Sequence, residues 1–224
     1  MILVDAGNTR VHFAFVDKNE IVRRTYLNTK DANASSVRAM LGRFPHEHVL
    51  VCSVVPRITR YFALKKQIGQ DRLLLAFGAK ELYPKSRIII DFGTAITFDF
   101  LSAKGEYLGG FIFPGIDLSA KALSECALLP QITLNTTNMK RKYSIARNTR
   151  ESISRGVYEG VIAMMNSWMD SYAPRLIRQK QVHKGQIVLT GGCAGSIRSK
   201  FTFPNRYDPD LIFRGMTRLF RLIR

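Results

Sequence analysis

One short plan occurs twice in this chain: an apolar triplet, an aspartate, any residue, a glycine, a small polar residue, and then a second strand-like run. It reads "ILVDAGNTRVHFAF" at residues 2 to 15 and "IIIDFGTAITFDF" at 88 to 100, so that Asp5 and Asp91 stand 86 positions apart. A strand ending this way carries a carboxylate at its mouth. The glycine lets the backbone turn tightly enough to offer N–H groups to an anion. Asn8 and Thr9 in one copy, and Thr94 and Thr97 in the other, add neutral donors. Aspartates repel a phosphate unless a cation lies between them, so the two motifs call for a metal ion as well as a phosphate.

The surrounding pattern repeats too. Strand-like runs at "MILVDAG", "VHFAFVD" and "EIVRRTYL" precede a helical "ANASSVRAMLGRF" and a strand "HVLVCSVVP". The order restarts with "RIIIDFG", "ITFDFLSAKG" and "EYLGGFIFPG", a helix over 117–129 and the strand "QIVLTGG". Between the halves, "ALKKQIGQDRLLLAFGAKELYP" predicts a helix with Leu73, Leu74, Phe77 and Leu82 near one face, Asp71 at its cap and Pro84 closing it. A long helix from a cap at Asn148 or Thr149 to about residue 172 follows from Ile153, Val157, Val161, Met164, Met165 and Trp168 at helical spacing. Gly156 and Gly160 in that stretch predict close packing of a neighbouring helix.

Composition narrows the classes of function. With 46% hydrophobic and 23% charged residues, 224 residues form one broad domain or two small ones. No apolar run approaches the ~20 residues that cross a bilayer, and the amino terminus enters a strand pattern at once, so a cytoplasmic location without a membrane partner is expected. Cys52, Cys126 and Cys193 lie far apart in apolar or small-residue contexts and are expected to be buried free thiols. The net charge of +17 is concentrated at 138–155 and 198–224. Neither segment interleaves its basic residues with exposed aromatics as a single-strand-binding surface does, so they are expected to be solvated faces, and a nucleic-acid partner is not expected. The excess also suits attraction of a small anionic substrate.

The turn "VLTGGCAGS", 188 to 196, follows a buried-looking strand and opens onto a helix. Gly191 and Gly192 allow close backbone approach to a flat ligand such as an adenine ring, although a tight strand-to-helix turn alone also explains them. The chain has no P-loop motif.

Taken together, "DAGNTR", "DFGTAITFD", "GGFIFPGIDLSAKAL" with its "LLP", and "TGG" resemble the actin-like superfamily of acetate and sugar kinases, and within it the type III pantothenate kinases. "SVVP", "GQDR", "RNT" and "YDPDLIFRGM" extend the resemblance over most of the chain. It implies an α/β fold of two tandem RNase H-like domains with the ligand cleft between them, here at 1–86 and 87–224. It further implies a homodimer that phosphorylates pantothenate with ATP, using Mg2+ and a monovalent cation, K+ or NH4+. The stretch Asp5, Ala6, Gly7, Asn8, Thr9, Arg10, Val11 and His12 resembles the first phosphate-binding loop. Thr94 resembles the hydroxyl of the second, and Gly191 and Gly192 belong to the adenosine motif. Asp91 resembles the residue at the monovalent cation site. Asp71 looks like the general base, with Gly69, Gln70, Arg72 and Tyr61 on the pantothenate side. Thr149 resembles the threonine that reaches pantothenate from the partner subunit.

The chemistry matches the side chains. Pantothenate carries a carboxylate and a primary hydroxyl, and its kinase needs a cation for the first and a base for the second. Arg72 and Asp71 are of the right types, although an Asp-Arg pair at a helix start is by itself a cap and a surface charge pair. Pro56 and Gly69 are only 13 positions apart, a shorter connection than the family's. Two other readings stand beside the kinase: a catalytically impaired ligand-binding or regulatory relative, and an RNase H-like nuclease using Asp5, Asp91 and Asp99 with two metals.

Overall fold

The computed structural model describes residues 1–18, 20–42, 48–53, 69–134, 145–178 and 186–222. They form two compact units, one of Met1–Leu82 with Asp210–Arg224 and one of Tyr83–Pro209.

The first unit is built on a four-stranded sheet of β1 (Ile2–Ala6), β2 (Arg10–Asp17), β3 (Glu20–Asn28) and β4 (Val49–Ser53), in the order β3-β2-β1-β4. Strand β1 runs antiparallel to β2 and parallel to β4. Its residues are apolar on both faces because both are covered. Ile2, Val4 and Ala6 join Val11, Phe13 and Phe15 beneath Met40 of helix α1 (Ala34–Leu41). Leu3 joins Ala14, Val16 and Cys52 with Phe213 and Met216. Helix α1 starts at a reciprocal capping box, in which the Ser36 N–H donates to Asn33 Oδ1 and the Asn33 N–H to Ser36 Oγ, each at 2.9 Å.

Helix α2 (Gln70–Leu82) departs from the expected pattern in two ways. It begins two residues early, so Asp71 lies inside the first turn rather than at the cap. Its buried residues are Leu75, Ala76, Gly78 and Ala79, whereas Leu73, Leu74, Phe77 and Leu82 are only partly buried. The reason is the partner helix that ends the chain. There Gly78 and Gly215 meet so closely that a Cβ on Gly78 would lie 3.1 Å from the Gly215 Cα. Backbones approach this far only where both residues are small, and the contact selects the small face over the leucine face.

The second unit repeats the plan with one more strand: β5 (Ser86–Phe92), β6 (Ala95–Leu101), β7 (Tyr107–Pro114), β8 (Gln186–Thr190) and β9 (Asn205–Tyr207), in the order β7-β6-β5-β8-β9. Strand β5 is antiparallel to β6 and parallel to β8, as β1 is to β2 and β4. Ile88, Ile90, Phe92, Ile96, Phe98 and Leu189 pack on the long helix.

Helix α3 (Ile116–Leu123) stops six residues short of expectation, because tight turns take over: the Cys126 N–H donates to the Leu123 carbonyl and the Leu129 N–H to that of Cys126. Asn148 rather than Thr149 caps the long helix α4 (Thr149–Ser167), accepting the Glu151 N–H at 2.9 Å. Wide π-type turns over Trp168–Tyr172 carry α4 into the short helix α5 (Ala173–Arg178), with the Trp168 ring packed 4.8 Å from that of Phe98. Helix α6 (Ala194–Ile197) follows β8. Helix α7 (Leu211–Leu222), whose Gly215 meets Gly78, closes the first unit.

The cysteines correct an expectation. All three are free, but only Cys52 is buried, Cys193 is half-buried, and Cys126 is exposed in the turns that truncate α3.

Candidate functional site

In the first unit the central element is a row of side chains on one face of the sheet. Cross-strand register sets Cys52, Asp5, His12 and Tyr26 side by side over β4, β1, β2 and β3. Asp5 holds its proton up to about pH 7, first because burial disfavours the carboxylate and second because Asp71, in the first turn of α2, adds a like charge. Burial also pushes the Cys52 thiol up, with Asp5 and Asp71 adding to the shift. His12 is shifted down by burial and by the Arg10 guanidinium, so it is neutral at pH 7. Asp5 and Asp71 therefore act on one another: a protein without a cation keeps one proton where a cation would restore the second charge.

The turn after β1 is tightly held. The Gly7 N–H donates to the Arg10 carbonyl at 2.9 Å, the Thr29 N–H to that of Thr9 at 2.9 Å, and the Thr29 hydroxyl to that of Gly7 at 2.7 Å. Three carbonyls of the turn are thus engaged from behind, with Asn8 and Thr9 exposed at its tip. Electron-rich oxygens facing an incoming phosphate would repel it, and this bonding removes them. The Ala6 and Val11 side chains are buried in the core below, which leaves only their backbone for a ligand. Gly69, Gln70 and Arg72 are half-buried beside Asp71 at the start of α2. Tyr61 lies outside the described residues.

In the second unit Asp91 pairs in register with Thr97 of β6 and Thr190 of β8. The turn after it mirrors the first, with the Gly93 N–H donating to the Ala95 carbonyl at 3.1 Å. Gly115, the cap of α3, donates its N–H to the Thr94 carbonyl at 2.9 Å, and a Cβ on it would overlap the carbonyl oxygens of Gly93 and Thr94. The amino end of α3 therefore abuts the Thr94 turn, an arrangement that favours negative charge. Gly191 has φ +89°, and a Cβ there would overlap Asp91 Oδ1. At Gly192 a Cβ would meet no described atom within 4 Å, so there is room beside this backbone for a flat group. Thr149 lies apart from these groups, on an open groove of ≈ 530 Å³ with Phe113, Leu123, Ile153 and Val157. Gly156 and Gly160 line the same groove, and among the described residues nothing fills the space above them.

Several contributors carried only weak sequence signals. Asp99 is fully buried, accepting from the Tyr107 hydroxyl at 2.7 Å and from Thr97 Oγ1 at 3.3 Å, so it braces β6 and β7 beneath Asp91. Tyr107 has no motif around it. Gly115 could have been found as the glycine of a Pro-Gly pair before a helix, and the place of Cys52 beside Asp5 only from the register of β4 on β1.

Two mixed α/β units of the same strand plan define the class of fold: two tandem RNase H-like units, as in the actin-like ATPases and kinases. Solved structures show the same fold. A Campylobacter jejuni protein assigned to the Baf family of transcriptional activators matches with TM-score 0.62 at 23% identity, over 100% of this chain and 98% of that one. The activator of 2-hydroxyisocaproyl-CoA dehydratase from Clostridium difficile, with ADPNP bound, matches with TM-score 0.56 at 15% identity, over 100% and 98%.

Sequence narrows the class further. The type III pantothenate kinase family model matches residues 1–64 and 59–171. A type III pantothenate kinase from Zymomonas mobilis is 32% identical over 98% of this chain and 92% of its own length. The chain belongs to the type III pantothenate kinase family. That alignment runs to 259 positions against 224 residues here, and the two family matches meet inside the short connection between Pro56 and Gly69.

Proposed function

We infer that this protein transfers the γ-phosphoryl group of ATP to the primary hydroxyl of pantothenate, giving 4'-phosphopantothenate and ADP, the first step of coenzyme A synthesis. The observation that carries this reading is the full-length likeness to type III pantothenate kinases, with Asp71 of "GQDR" set where its charge is felt by Asp5.

Asp71 accepts the proton of the pantothenate hydroxyl as its oxygen attacks the γ-phosphorus, and the bond from that phosphorus to the bridging oxygen of ADP breaks. Arg72 holds the pantothenate carboxylate, with Gly69 and Gln70 beside it. The turn from Asp5 to His12 and the Thr94 hydroxyl hold phosphate oxygens, and Gly191 and Gly192 face the adenosine. Carboxylate oxygen at Asp5 suits Mg2+, and the retained proton on Asp5 is what a hard cation would displace. Bound there, Mg2+ would supply charge neutralisation at the phosphate oxygens, and Asp91 would hold the monovalent cation, K+ or NH4+.

The open groove along α4 supports a homodimer. A second copy seated there would cover Phe113, Leu123 and Val157, fill the space over Gly156 and Gly160, and bring Thr149 to the partner's pantothenate. No helix among the described residues is long and apolar enough to cross a membrane, and a cytoplasmic location accords with that.

The test is ADP release with and without pantothenate, in Mg2+ and K+ or NH4+. Pantothenate-dependent turnover is expected, falling by ~100-fold or more in Asp71→Asn. The short connection between Pro56 and Gly69 favours a second reading, an impaired ligand-binding relative. ATP binding without pantothenate-dependent ADP release would establish that reading in place of the first.

A further inference from the structure

Tyr26 has no place in the phosphate turn, yet its half-exposed ring sits at the end of the row that Asp5 begins. The Arg10 guanidinium lies over that ring, 4.5 Å from its centroid. On the strand side the ring meets His12, with centroids 6.0 Å apart and planes tilted by 47°. Tyr26 is paired in register with His12, and Arg10 with Asn28 two residues nearer the turn. Arg24, two residues before Tyr26, pairs with Asp210 at 2.6 Å.

We propose that Tyr26 is a positioning residue for the nucleotide: its ring holds the Arg10 guanidinium at the shoulder of the Gly7–Arg10 turn so that Arg10 meets the phosphate chain. This rests on the kinase reading of that turn. Two observations carry it. The Arg10 backbone is already fixed, because its carbonyl accepts the Gly7 N–H, so only the side chain remains to be ordered. Among the described residues the contact ordering it is an aromatic face, which attracts a guanidinium without cancelling its charge. A carboxylate in the same place would order the side chain and neutralise it. The stacked guanidinium keeps its N–H fork for phosphate oxygens, which it matches in shape. His12, kept neutral by burial and by Arg10, adds no second cation to compete for the ring.

Arg10→Met is expected to weaken binding of a non-hydrolysable ATP analogue by at least about tenfold, as charged hydrogen bonds do, and to leave adenosine binding unchanged. Tyr26→Ala should weaken the analogue roughly two- to fivefold, raise the KM for ATP with kcat held, and spare adenosine. Tyr26→Phe keeps the ring and should restore wild-type affinity. In the Arg10→Met background, Tyr26→Ala should add nothing, since the group it orders has gone. Tyr26 is 51% exposed, so the variants should fold, and melting temperature checks this. Unchanged analogue affinity in Tyr26→Ala, an equal loss for adenosine, or additivity with Arg10→Met would overturn the proposal. If the wild type binds the analogue but leaves pantothenate untouched, the acceptor assignment fails while these binding comparisons still decide the role of Tyr26. Wild-type protein that binds no ATP analogue overturns both.

Discussion

The carboxylate of Asp91 occupies the space that a side chain on Gly191 would need. A Cβ there would overlap Asp91 Oδ1 and lie 2.6 Å from the Phe92 nitrogen and carbonyl carbon, while φ at Gly191 is +89°. Two independent penalties fall on one methyl group: a left-handed backbone, and a collision with a backbone that cannot yield. Gly191→Ala should therefore cost at least about 2 kcal/mol and push Asp91 out of place. Urea denaturation reads the first effect and, on the cation role proposed for Asp91, the dependence of turnover on K+ or NH4+ reads the second. A variant within 0.5 kcal/mol of wild type, on the order of an inert surface change, would contradict this geometry.

The crossing of α2 and α7 makes a second demand on glycine. Cβ atoms at Gly78 or Gly215 would come within 3.1 Å of backbone on the facing helix. Gly78→Val and Gly215→Val should each destabilise the protein by about 1–3 kcal/mol through overpacking. In Gly78→Ala the gain in helix propensity, about 1 kcal/mol, opposes a smaller clash, so its loss should be less than that of valine. Thermal unfolding of the three variants checks the order.

Asp5 makes stability depend on pH. Its folded pKa is raised from 3.8 to about 7, so folded protein holds a proton that the unfolded chain has released. Stability from this source is fully present below about pH 4 and is lost as pH rises through 7, on the order of 4 kcal/mol in protein without a cation. Asp5→Asn should flatten the stability profile between pH 4 and 7 relative to wild type. Asp71→Asn should reduce the slope without abolishing it, because burial is the larger cause. Equal slopes in wild type and Asp5→Asn would rule out this origin.

Thiol labelling should separate the three cysteines. Cys126 is exposed and should react with a maleimide at once, whereas Cys52 is buried and its thiolate is disfavoured by Asp5 and Asp71. Cys52 should label only on unfolding. Mass spectrometry of timed digests gives the order, and early labelling of Cys52 would contradict the buried row over β1.

Much of this was legible along the chain, because the signals involved are local. Period-two apolar runs marked the strands, the two Asp-x-Gly turns marked the strand mouths, and Asn148 was one of two caps that the spacing allowed. Where the reading missed, either a distant segment or a local turn had intervened. The apolar spacing of α2 pointed to Leu73, Leu74 and Phe77, yet Gly215, far along the chain, selected Gly78 and Ala79 instead. The segment 117–129 read as a helix, but turns at 124–129 left Leu128 exposed.

By itself the sequence determined that two similar α/β units would form, with a carboxylate and a glycine turn at the head of each central strand, since strand period and turn chemistry act between neighbours. Only the tertiary structure decided which face of each strand Asp5 and Asp91 share with His12, Cys52 and Thr97, that Asp71 reaches Asp5, and that 211–222 packs with the first unit. These depend on register and helix crossing, which join residues tens to more than a hundred positions apart.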